Sequence, residues 1–188
     1  MNTKNLLKNK WAWIIGGIIL LVIIIASGGE EQSVPAATQS QVNNVQQETQ
    51  VKELTPEQKE VKSFLTEIGV LTIKSGKGND DVEKMGIEFQ RNGLPLPYAI
   101  SAQLVFESVL KEAKKVKVPS GGDGVKNYFI ESVQYQLNGV TTIREALEAA
   151  PINEKKLWQG LETYNKAMLS TARSTEEINK LKTKVGLE

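Results

Sequence analysis

The spacing of apolar and polar positions changes several times along the chain, and each change marks an element. From Trp11 to Ala26 the sequence WAWIIGGIILLVIIIA carries no charge. At about 1.5 Å per residue it gives about 24 Å, or about 28 Å with Ser27, Gly28 and Gly29, against a hydrocarbon core of about 30 Å. The run predicts a single transmembrane helix over residues 11–29. Trp11 and Trp13 stand beside Lys10, where the interfacial aromatics of a permanent span belong. Ala26-Ser27-Gly28 is a candidate cleavage site. The run is longer and more apolar than export requires, however, which favours retention as an anchor.

The pattern then dissolves into EEQSVPAATQSQVNNVQQETQVKEL, with no aromatic residue and no sustained apolar period. So little apolar surface cannot offset the entropy of ordering, and residues 30–54 read as a disordered polar linker. A helical period begins at Thr55-Pro56-Glu57-Gln58, which supplies an N-cap hydroxyl, a proline at the first helical position and a capping-box glutamine. Val61, Phe64, Leu65, Ile68 and Leu71 follow at helical spacing. The same phase runs on through Ser75, Asn79, Val82, Met85 and Phe89, across the glycines of SGKGN. Preserved phase favours one helix from Pro56 to about Arg91 over two helices meeting at Gly76 to Asn79.

Asn92-Gly93 and LPLP close that element. A second helix is predicted from about Pro97 to Lys117, and a third from Val125 towards Ala150-Pro151. The fourth starts near Ile152 and carries Leu157, Leu161, Tyr164, Met168, Ala172, Ile178, Leu181 and Val185. Thr142 with Glu145 and Ser174 with Glu177 have capping-box spacing, which predicts that the last two helices break into shorter pieces. No alternating run bounded by a two-residue turn predicts a strand. The expected fold class is all-α: a transmembrane helix, a flexible tether and an up-down bundle of about four helices over residues 55–188.

Charge adds orientation. Lys4, Lys8 and Lys10 precede the apolar run, whereas Glu30, Glu31 and Glu48 are the only charges between it and Lys52. Positive charge stays inside, so residues 1–10 are expected in the cytoplasm and the helical domain outside. Of the 23 basic and 22 acidic residues, three of each precede Lys52, leaving the domain at a net charge of +1. Such a balance argues against nucleic acid as a partner.

Composition also narrows the chemistry. The chain has no His and no Cys, so it lacks the usual general base near neutral pH and the commonest zinc, haem and iron-sulfur ligands. No cofactor is expected, and enzymatic function is not expected. Asp80-Asp81-Val82-Glu83 lacks the alternating spacing of a calcium loop and reads as acidic residues complementing a helix dipole. SGKGND and PSGGDGVKN lack phosphate-loop spacing and read as turns or helix breaks.

Two candidate sites remain. Ser75 and Asn79 of the first helix and Ser132 and Gln136 of the third fall near the midpoints of helices expected to lie diagonally across the core. They form a polar waist that fixes register, lines a ligand cavity, or else marks the glycine stretches as loops. Lys111, Lys114, Lys115 and Lys117 form a basic surface, suited to anionic headgroups or polymers, or else simply complementing a helix C-terminus.

The layout of lysine-rich start, Ile/Leu/Val-rich span, polar tether and helical domain resembles that of small single-span bacterial envelope proteins. The expectation is a non-enzymatic envelope protein of the cell membrane. Its outer bundle would meet another envelope protein or itself, with Ala12 and Gly16 assisting association in the span. The alternative expectation is a module binding a small molecule or polymer through the polar waist or the lysines.

Overall fold

The computed structural model describes residues 53–187, which fold into four α-helices with no strand among them. They are α1 (Pro56–Arg91), α2 (Leu96–Ala113), α3 (Asp123–Glu148) and α4 (Glu154–Val185). None of these helices is long and apolar enough to cross a membrane. The expected anchor over 11–29 lies outside the described residues, as does the linker apart from Glu53 and Leu54.

The start of α1 follows from its sequence. Thr55 Oγ1 accepts from Gln58 N (3.2 Å) while Gln58 Oε1 accepts from Thr55 N (3.0 Å), so two otherwise orphaned donors are satisfied together. The helix runs unbroken through Ser75-Gly76-Lys77-Gly78-Asn79. Ser75 and Gly78 are buried there, and a Cβ on Gly78 would lie 2.7 Å from the Phe106 ring. Two glycines cost about 1 kcal/mol each in a helix, and packing at this level outweighs them. α1 ends at Asn92, whose φ of 58° is left-handed and whose N–H reaches back to Glu88 O and Phe89 O.

Consecutive helices run antiparallel. Lys74 meets Glu112 and Asp81 meets Ser101 between α1 and α2, while Val125 meets Ser174 and Glu131 meets Ser170 between α3 and α4. Gln58 Nε2 donates to Val185 O (2.9 Å), which joins the first turn of α1 to the last of α4. The topology is up-down-up-down, and one core runs its length. Val61, Val82, Phe106, Val109, Val125, Val140, Ile143 and Leu157 are among its fully buried members.

Expected boundaries are corrected at the end of α2, within α3 and α4, and at SGKGND, which is helix rather than a turn or break. α2 stops at Ala113 instead of Lys117. Val118 precedes a proline and so disfavours helical geometry, and Lys126 Nζ takes the freed carbonyls of Lys114 (3.0 Å) and Val116 (2.7 Å). Residues 114–122 then run on without helix, burying Val116 and Pro119 and bringing Gly122 against Phe64 of α1. The expected breaks at Thr142 and Ser174 do not occur. Thr142 Oγ1 donates to Asn138 O one turn back (2.9 Å), and Ser174 Oγ donates across the interface to Val125 O (3.1 Å). Neither hydroxyl caps an N–H, so the capping-box spacing has no effect there.

Glycine sets the separation of α3 and α4. A Cβ on Gly139 would lie 2.6 Å from Tyr164 N, and one on Gly160 2.8 Å from Gly139 O. The two backbones therefore meet closely at mid-height. Below this crossing, Ser132, Ser170 and Ser174 are buried along the same seam.

Candidate functional site

The polar waist forms, with a different membership from that expected. Ser75 and Asn79 are one helical turn apart on α1, a spacing that puts both on one face. Ser75 Oγ donates to Gln136 Oε1 of α3 (3.2 Å), and Gln136 Nε2 donates to Asn79 Oδ1 (2.9 Å). Tyr164 of α4 completes the layer, its hydroxyl donating to the same Asn79 oxygen at 2.6 Å. Three helices thus meet through four side chains. The Tyr164 ring also faces that of Phe106, with centroids 6.2 Å apart, which ties α2 to the layer.

Ser132 does not join this layer. Its hydroxyl lies 2.7 Å from Thr171 Oγ1 and donates to Ala167 O (3.2 Å), so it belongs to the α3–α4 seam. Tyr164 was missed because it reads as an ordinary apolar position of α4. The available signal was its hydroxyl, which a buried tyrosine needs to pair. Burial pushes its ionisation well above the ordinary tyrosine range, so it serves the layer as a neutral donor.

The waist consumes its own polar groups. Among the described residues the one buried side-chain nitrogen or oxygen without a partner is Arg144 Nε. That guanidinium pairs through NH1 with Glu148 (3.1 Å), beside the Lys156–Glu145 pair (2.6 Å). Asp81 accepts from Ser101 Oγ (2.6 Å), and among the described residues no three acidic groups converge as a metal site would require.

The lysines are exposed, but only Lys111 is in the last turn of α2; Lys114 is its C-cap, and Lys115 and Lys117 lie beyond the helix expected to carry them. None of the four is in a salt bridge among the described residues. Glu112 is engaged elsewhere. Lys74 Nζ meets it at 2.5 Å, and that hydrogen bond, joined by one from Ser108, holds its carboxyl below the usual range despite partial desolvation.

A second surface feature was not anticipated. Val70 and Ile73 of α1 and Ile100 and Leu104 of α2 are exposed, Leu104 at 61% and Ile73 at 73%. They fall out of phase with the buried positions, which is the signal that periodicity alone treats as noise. Leu94, in the α1–α2 turn, and Met168 and Leu169 on α4 are exposed as well.

No family model matches the chain, and neither the curated proteins nor the solved structures contain a match to it.

Proposed function

We propose that the chain is a non-enzymatic, membrane-anchored protein of the cell envelope, whose helical domain lies outside the membrane and works through its surface. The observation that carries this reading is the hydrogen-bonded polar layer at mid-height. Ser75 is tied to Gln136, and Gln136 and Tyr164 meet at the Asn79 oxygen, which leaves the interior few polar groups for a ligand. The surface offers exposed apolar side chains and, among the described residues, four lysines outside any salt bridge. The absence of His and Cys throughout the chain supports a non-catalytic role, and the run from Trp11 to Ala26 supports the anchor.

Protease treatment of intact cells carrying a C-terminally tagged chain tests the topology, read together with the intact mass in membrane and soluble fractions. Loss of the tag from outside with full-length mass in the membrane is the expected result. A soluble product lacking the first 28 or so residues would instead mark a cleaved signal and overturn the anchor. A thermal-shift screen against envelope metabolites and wall fragments tests the interior, since a ligand selective for the folded form must raise its stability. No shift is expected.

A further inference from the structure

The outward face of α2 combines two features that the fold itself does not use. Residues advance by about 100° around a helix, so Ile100, Leu104 and Lys111 fall within an arc of about 40°. Ala102, Phe106, Val109 and Ala113, which are buried, occupy the opposite side. Lys114 and Lys115 continue the basic end of the outward arc as the helix runs out. Its one carboxylate, Glu107, accepts from Gln103 Nε2 (2.7 Å), and Glu112 at its margin is held by Lys74.

We propose that this face of α2 docks on the bilayer that anchors the chain, with Ile100 and Leu104 entering the headgroup region and Lys111, Lys114 and Lys115 meeting anionic headgroups. The proposal rests on the anchored reading above. An interfacial helix enters with apolar side chains while its lysines keep their charges at headgroup level; on α2 the two exposed apolar side chains are followed along the same arc by lysines whose apolar stems allow that reach. Isolated knobs of this kind suit a fluid headgroup layer, whereas a protein partner would need a pocket for each. A flexible linker of the length of residues 30–54 would span about 25–30 Å, which would keep the domain at a high effective concentration beside the surface. A weak face therefore suffices. α2 packs between α1 and α3, so docking it leaves the outward side of α4 towards the solvent.

The chain has no cysteine, so a single one reports from a single place. The full-length chain with Leu104→Cys, carrying a polarity-sensitive fluorophore, is reconstituted in phosphatidylcholine vesicles with and without phosphatidylglycerol, some batches containing nitroxide-labelled lipid. Glu162→Cys, exposed on α4, is the comparison label. The expected result is a blue shift and nitroxide quenching at position 104, strengthened by phosphatidylglycerol, with position 162 unaffected. Lys111→Gln, Lys114→Gln and Lys115→Gln together should lower the docked-to-free ratio on the order of a hundredfold, at roughly fivefold per lysine.

Vesicle flotation separates the failures. A chain that floats with the vesicles while position 104 stays in water overturns the docking and leaves the anchor standing. A chain that does not float overturns the anchor and the docking with it. Quenching indifferent to phosphatidylglycerol and to the lysines overturns recognition of anionic headgroups. A blue shift without lipid quenching, growing with protein density, assigns the face to a second copy and overturns the proposal.

Discussion

Burial keeps the Tyr164 phenol neutral, and this makes one side chain a reporter for the whole polar layer. In the unfolded chain a tyrosine ionises near pH 10. Above that pH the unfolded state binds fewer protons than the folded one, so stability falls as pH rises, until the folded protein's own, higher ionisation is reached. Tyr164→Phe removes the donor to Asn79, and is expected to lower stability near neutral pH by about 0.5–1.5 kcal/mol. It should also reduce the alkaline decline. Urea unfolding of both proteins at about pH 7 and about pH 11 checks the two effects together, because only loss of a buried phenol predicts a difference between the proteins that shrinks with pH. That Ser75, Asn79 and Gln136 face the interior was legible from helical phase. Their partnership with Tyr164, and the removal of Ser132 to a separate seam, depended on how far α3 and α4 are offset along their axes, which no residue spacing specifies.

Among the elements, glycine has opposite meanings at Gly69 and Gly76 of α1 and at Gly139 of α3. A Cβ at Gly69 or Gly76 would meet nothing within 4 Å, whereas one at Gly139 would strike the backbone of α4. Gly76→Ala is accordingly expected to stabilise the fold by about 0.5–1 kcal/mol, and Gly69→Ala likewise. Gly139→Ala should destabilise by about 3 kcal/mol or more, since overpacking here meets main chain that cannot rotate away. Chemical denaturation of the three variants reads all of these. A destabilising Gly76→Ala would overturn the reading of Gly76 as an open helix position. The count, order and phase of the helices were legible because apolar spacing survives even where propensity is poor, as it does through SGKGN. Helix ends were less so. Thr142 and Ser174 have the spacing of caps, yet a hydroxyl bonds as readily one turn back or across an interface as to an N–H ahead of it.

At the scale of the whole molecule, the described surface is bound by ion pairs that titrate in acid. Lys74 and Lys156 hold the carboxyls of Glu112 and Glu145 below the ordinary value of 4.5. Carboxylates depressed by folding contribute stability above the unfolded value and lose it as pH falls through the folded one. Both pairs are exposed, so the contribution is small and screened by salt. The expected outcome is a shallow loss of stability below about pH 4.5, flattened in the Glu112→Gln, Glu145→Gln double variant, as thermal unfolding across that range would show. An unaltered acid profile in the double variant would place the loss on other carboxylates. The exposed apolar positions of α1 and α2 were illegible beforehand for a reason of scale: a surface exists only once the core has been assigned, and Leu104 differs from its buried neighbours only in phase.

The bond from Gln58 to the Val185 carbonyl brings both ends of the described domain to one pole. If the first end is held and the last is pulled, the load falls on that bond first, and α4 then peels from α3, its main neighbour, turn by turn like the teeth of a zipper. Pulled instead between that pole and the turns at the other, the same helices must slide past one another along their full length. The bundle is therefore compliant to a force entering through its C-terminus and stiff to one entering through its far loops.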